Sequence, residues 1–156
     1  MSQLYDELLV SDDTFVLQEF FVPSASFDAF IELARPIYAD LASQSTLLLL
    51  NTTIRYVFAD TTTALPYAPV DSYAFVLYYR IPRTPEADEA LGVFHNRFAS
   101  AAVSLKGTFY LPYRKCYSPD ILLQSYPNLH AFALAKRKFD PRNLLVNAFY
   151  AKYVSP

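Results

Sequence analysis

The stretch TLLLLNTTIRYVFA, residues 46–59, decides the fold. Its first half is an aliphatic run, and its second half alternates, with Thr53, Arg55 and Val57 on one side and Ile54, Tyr56 and Phe58 on the other. Alternation of period two over β-branched and aromatic residues predicts a strand with one face covered by protein. Residues 60–69 carry three threonines and two prolines and predict an exposed loop or a lid, after which SYAFVLYYRI, residues 72–81, resumes the strand pattern. Two strands in succession, with no crossover helix between them, pair antiparallel.

TFVLQEFFV, residues 14–22, predicts an earlier strand stopped by Pro23. Ser24 or Ser26 then caps a helix whose apolar face is Phe27, Phe30, Ile31, Ala34, Ile37, Tyr38 and Leu41, with Pro36 as a kink. On the far side, Thr84-Pro85-Glu86 opens a second amphipathic helix that buries Ala87, Ala90, Leu91, Phe94, Phe98 and Ala101 and closes at Gly107. TFYLPY, residues 108–113, predicts a short fourth strand broken by Pro112 and therefore lying at an edge or rim. Two helices follow, one capped by Ser118-Pro119 and one over about Asn128 to Phe139. Strand, helix, strand, strand, helix, strand is the ferredoxin-like order: an α+β fold, an antiparallel sheet with helices on one face and extra C-terminal helices. The other face is left free, and Thr53 and Arg55 fall on it.

Composition narrows the chemistry. A chain of 156 residues, 53% hydrophobic, fills one core. The prediction is a lead-in arm over residues 1–13 and one domain over 14–156. Only Gly92 and Gly107 are glycine, which argues against a loop that wraps a dinucleotide or phosphate. The single cysteine, Cys116, allows no internal disulfide, and neither His95 nor His130 has a neighbour in sequence that suggests a triad or metal site. No apolar run approaches a membrane span, so a soluble chain is expected, with the cytoplasm as its natural compartment. Net charge is −2, but residues 1–104 hold 13 acids and 5 bases whereas residues 105–156 hold 2 acids and 8 bases. No recognised nucleic-acid motif accompanies that basic third, so the expected partners exclude nucleic acid.

The C-terminal stretch from Ala135 to Tyr153 reads as a helix stopped by Asp140-Pro141, a left-handed turn at Asn143, and a return that buries Leu144, Leu145, Val146, Phe149 and Tyr150. Lys138-Phe139-Asp140-Pro141-Arg142-Asn143, ending Asn147-Ala148-Phe149, resembles the closing segment of FAD-linked oxidases of the vanillyl-alcohol oxidase superfamily, with Asn143 where that family has Gly. Gln18 to Pro23, Thr53 to Val57 and Gly107 to Tyr113 are similar to other segments of the C-terminal substrate, or cap, domain of these enzymes. The D-arabinono-1,4-lactone and alditol oxidase-like group is the nearest.

The resemblance implies an FAD-dependent oxidoreductase that oxidises a CH–OH substrate, such as a sugar lactone or polyol, by hydride transfer to flavin N5. It implies Arg55 as a catalytic and cofactor-binding residue, matching the Arg of a Glu-x-Arg pair, and Thr53, which replaces the Glu, at the substrate. Tyr113 is implied as catalytic and Tyr110 as substrate-binding. Asn147 is implied to touch the flavin or to tie down the last turn. The FAD-binding half, with its glycine-rich loop, is not in this sequence, so the partner is an FAD-binding domain or subunit and the isolated chain is inactive. The alternative is a non-catalytic assembly subunit that keeps the cap-domain fold and uses its open sheet face as a protein interface; the Thr at 53 favours it.

Overall fold

A computed structural model describes residues 12–154. The elements in chain order are β1 (Asp13–Pro23), α1 (Phe27–Ala42), β2 (Leu48–Val57), β3 (Ser72–Pro82), α2 (Pro85–Ser104), β4 (Thr108–Phe109), α3 (Pro119–Ser125), α4 (Leu129–Phe139) and α5 (Ala148–Tyr153), with a 3-10 turn at Ser24–Ser26 joining β1 to α1. The four strands form one antiparallel sheet in the order β2-β3-β1-β4, which is the ferredoxin-like arrangement the element order predicts. Residues 1–11 of the expected lead-in arm lie outside the described residues. Asp13 belongs to β1 instead, and its carboxylate meets Arg80 Nε at 2.7 Å.

Alternation along the strands sorts the side chains. Val16, Phe20 and Val22 of β1 and Phe75, Leu77, Tyr79 and Ile81 of β3 are buried towards the helices. They meet Phe30, Ala34, Ile37 and Leu41 of α1 and Leu91, Phe94 and Phe98 of α2 in one core. Rings carry much of it: Phe30 and Phe75 centroids lie 4.6 Å apart, and Phe20 and Phe98 lie 5.5 Å apart. Each such side chain contributes about 1.5–3 kcal/mol when taken out of water.

Local chemistry sets the helix ends. Thr84 Oγ1 accepts from Ala87 N at 3.2 Å, and Ser118 Oγ accepts from Ile121 N at 3.3 Å, each followed by proline in the first turn. Neither Ser24 nor Ser26 caps α1 with its side chain, because the 3-10 turn takes that place. The α1 helix runs on through Pro36. At the end of α2, Lys106 takes the left-handed conformation (φ 62°), and Gly107 serves a different purpose. A Cβ there would strike the Phe21 carbonyl oxygen and come within 2.8 Å of the Ala102 carbonyl oxygen, so the missing side chain is what lets α2 and β1 close together.

Two expectations are corrected. The fourth strand is two residues long, because Leu111 and Pro112 enter a turn and proline has no N–H to continue the ladder. The return after Asn143 does not bury its aliphatics. Asn143 is left-handed as expected (φ 54°), but Leu144, Leu145 and Val146 face solvent, and only Tyr150 is buried while Phe149 packs at the core's margin. The reason is local hydrogen bonding: Asp140 accepts from Leu144 N (2.9 Å) and Leu145 N (2.8 Å) and pairs with Lys136, which fixes the loop with its apolar side chains outward. These bonds and the Lys136 charge, with the Lys136 bond foremost, pull the Asp140 carboxyl down to about 2. A short helix unforeseen in the sequence, α5, follows.

Candidate functional site on the helix-free sheet face

The register defines the face opposite the helices. Across it run the rows Phe15–Arg80–Leu48, Leu17–Tyr78–Asn51, Glu19–Val76–Thr53 and Phe21–Ala74–Arg55. Thr53 and Arg55 therefore lie where the alternation placed them. The expectation that this face is entirely free is corrected. The segment 58–71 folds over one end of it, burying Phe21, Ala74 and its own Ala68 in a small second cluster. Side chains and backbone hold this segment in place: Asp60 N donates to Ala68 O (2.8 Å), Ala59 N to Asp71 Oδ1 (2.9 Å), Tyr56 OH to Asp71 Oδ2 (3.0 Å), and the Thr108 hydroxyl to Tyr67 O. Asp60 organises the turn by accepting from Thr62 and Thr63, whose hydrogen bonds bring its carboxyl down to about 2.

Beside this flap the polypeptide leaving β4 continues alongside β1. Tyr110 N donates to Glu19 O (2.9 Å), and the buried Gln18 amide donates to Tyr110 O (3.2 Å). Tyr110 packs against Phe21 and Tyr67 and edge-on against Tyr113, with centroids 5.1 Å apart in the last pair. Tyr113 OH donates to Glu19 Oε1 at 3.3 Å. Burial first, and then the Glu19 carboxylate, raise the Tyr113 phenol above its ordinary value, while the Arg55 charge acts in the opposite sense. Arg55 is exposed and, among the described residues, has no hydrogen-bond or ion-pair partner. Thr53 Oγ1 accepts from Asn51 Nδ2 at 3.4 Å. So Arg55, Thr53, Tyr110 and Tyr113 come to one face, joined there by Glu19.

No protein-family model and no curated protein matches the chain. What the site can do is therefore read from its own groups.

Asn147 stands apart. Its Oδ1 accepts from Tyr150 N at 2.8 Å and caps α5, and no hydrogen bond among the described residues links it to the cluster above. It ties down the last turn. On the other side of Tyr110 a cavity of about 400 Å³ opens between the flap, residues 110–112, Tyr126 of the α3 end and Phe132 of α4, with Leu65 and Tyr67 in its walls. Its size and apolar lining are those of a small-molecule site.

A second constellation was invisible in sequence. His95, fully buried in α2, brings Nδ1 within 3.6 Å of Cys116 Sγ, 21 residues on. Burial, helped by the Arg114 charge, pushes the imidazole down to about 3, and burial pushes the thiol up to about 11. At neutral pH the pair is an uncharged imidazole beside an un-ionised thiol, which is the reverse of an activated nucleophile. His130 is exposed.

The donor set also bears on a flavin. An exposed guanidinium with no hydrogen-bond or ion-pair partner among the described residues, standing at the edge of the flap, is of the charge that the N1/O2 edge of an isoalloxazine takes. Neither glycine is placed to cradle a pyrophosphate, since Gly92 is inside α2 and Gly107 is spent on the α2–β1 approach.

Proposed function

We propose that this chain is the substrate-side part of an FAD-dependent oxidoreductase acting on a CH–OH compound such as a sugar lactone or polyol, the FAD-binding half being supplied elsewhere. The observation that carries the reading is the gathering of Arg55, Thr53, Tyr110 and Tyr113 on the helix-free sheet face, with the Arg55 cation unpaired among the described residues. A fold alone hosts many functions, so the weight rests on these groups and on the segmental likeness to the oxidases. Arg55 would face the flavin edge and stabilise negative charge there; Tyr113 and Tyr110 would orient substrate oxygens. A bound flavin supplies the two-electron acceptor that no side chain here provides.

Co-expression with an FAD-binding domain of the same superfamily tests the reading. A yellow complex that oxidises a polyol or lactone, and in which Arg55→Ala loses turnover while still assembling, supports it; a chain that confers no gain in flavin affinity on any such partner ends it. The second reading, a non-catalytic assembly subunit that uses this sheet face as its interface, draws on Phe15, Leu17 and Leu48, which are apolar and exposed on that face, and on Thr53. An active complex whose rate is indifferent to Arg55→Ala would favour that one.

A further inference from the structure

We propose that the cavity between α2 and the segment 114–116 is a binding site for a small phosphate monoester, held by Arg114, Lys115 and Lys152 beside His95 and Cys116. The cavity shares no lining residue with the cluster around Arg55 and needs no flavin-binding partner to form.

One face of α2 builds one wall. Asp88, Leu91, Gly92 and His95 recur at three- and four-residue steps and so lie on the same side of the helix. Opposite them run Arg114, Lys115 and Cys116, and Lys152 of α5 completes the lining of a space of about 260 Å³. That is below the range of drug-sized pockets, about 300–1,000 Å³, and limits the ligand to a few carbons. Gly92 lets the two walls come close, since a Cβ there would already touch Cys116 Cβ, at 3.4 Å.

Charge selects the ligand. The lining carries three cations against one carboxylate, and the 3.0 Å pairing of that carboxylate, Asp88, with Arg114 is exposed to water and weak. Lys152 Nζ donates to the Lys115 carbonyl oxygen at 2.5 Å, which holds this ammonium at the cavity with two donors to spare. The Lys115 ammonium, on a half-buried side chain, has no hydrogen-bond or ion-pair partner among the described residues. A partly buried charge without a counter-charge favours an anion beside it. A phosphate monoester brings about −1.5 to −2 at neutral pH and three acceptor oxygens, which offset the surplus and suit both a guanidinium fork and ammonium donors. Side chains make this grip, so it needs no glycine-rich loop.

The wall also holds a buried polar group that the chain does not satisfy. His95 is fully buried, its Nδ1 meets Cys116, and its Nε2 has no hydrogen-bond partner among the described residues. Buried polar atoms of folded proteins are nearly all satisfied, so an imidazole left in this state beside a cavity is in keeping with a polar occupant.

The chain has two histidines, and they supply a reporter and a control. The full chain, labelled with nitrogen-15 at histidine, is titrated with inorganic phosphate and with glycerol 2-phosphate at neutral pH and constant ionic strength, the two imidazoles being assigned by the loss of one in His130→Gln. A saturable shift of the His95 ring signals is expected, with those of the exposed His130 unmoved. Lys115→Gln, checked for an unchanged melting midpoint, should weaken binding at least tenfold, and Lys115→Arg should keep most of it. Lys138→Gln, which removes a cation outside the cavity, should bind as the wild type does. His95 signals that neither probe moves, both histidines moving together, or a Lys115→Gln affinity equal to the wild type overturns the inference. Succinate bound as tightly as glycerol 2-phosphate overturns the assignment to phosphate.

Discussion

Gly107→Ala places one methyl group where two backbones meet. The new Cβ would lie 2.8 Å from the Ala102 carbonyl oxygen at the end of α2 and closer still to the Phe21 carbonyl oxygen in β1. Neither obstacle is a side chain that can turn aside, so the helix end or the strand must move by several tenths of an ångström or more. Gly107 N also donates to Ala102 O at 2.8 Å, and that bond would be strained by the same movement. Overpacking in a close-packed region costs about 1–3 kcal/mol, and the rigidity of both neighbours puts this case at the upper end. At 2–4 °C per kcal/mol for a domain of this size, the melting midpoint should fall by roughly 6–12 °C. Gly92→Ala supplies the control: its Cβ would find only Cys116 Cβ, at 3.4 Å, and replacing a helical glycine should stabilise by about 0.5–1 kcal/mol. Urea and thermal melts of the two variants beside the wild type measure both. If Gly107→Ala melts within 2 °C (about 0.5–1 kcal/mol) of the wild type, the close approach of α2 to β1 is not what requires glycine.

Acid should act on the fold through two named groups. Asp140 titrates at about 2 in the folded chain against an ordinary 3.8, so its contribution is present above the ordinary value and disappears as pH falls through about 2. The stability gap between wild type and Asp140→Asn, from urea midpoints, should be widest above pH 4 and close towards pH 2. His95 is held neutral down to about 3 against an ordinary 6.5, so the unfolded chain binds its proton first and stability declines as pH falls from 6.5 to 3. His95→Leu should flatten that slope, and an unchanged slope would mean the imidazole is not buried uncharged. Leu145→Asp, at a solvent-facing position, should leave the chain's own stability within about 0.5 kcal/mol, yet, if the chain assembles with a flavin-binding partner as proposed and this loop meets it, weaken that assembly measured by co-purification. Equal recovery of partner by both chains would show that this loop is not part of the interface.

Much of the architecture was legible along the chain because it depends on local periodicity. Alternation in residues 46–59 and 72–81, the three- and four-residue spacing of α1 and α2, and the Thr84-Pro85 and Ser118-Pro119 caps each reflect neighbours a few residues apart. The same alternation assigned Thr53 and Arg55 to the face without helices, two residues apart in β2 and therefore on one side. Asn143 in the left-handed turn was equally readable, since its conformation answers to its own backbone.

What the tertiary structure alone decided involves residues far apart in sequence. The contact of Tyr113 with Glu19 joins positions 94 residues distant, and no periodicity in either segment announces it. The flap over Phe21 and Ala74 follows from where the turn at Asp60 sends the chain, and it closes one end of a face that strand alternation leaves wholly open. The solvent-facing Leu144 and Leu145 show a pattern of apolar residues overruled by one carboxylate that binds two backbone amides. Sequence determined the strands, helices and sidedness because those depend on short-range spacing; the membership of the site depended on which distant segments pack together, and that is a property of the folded chain.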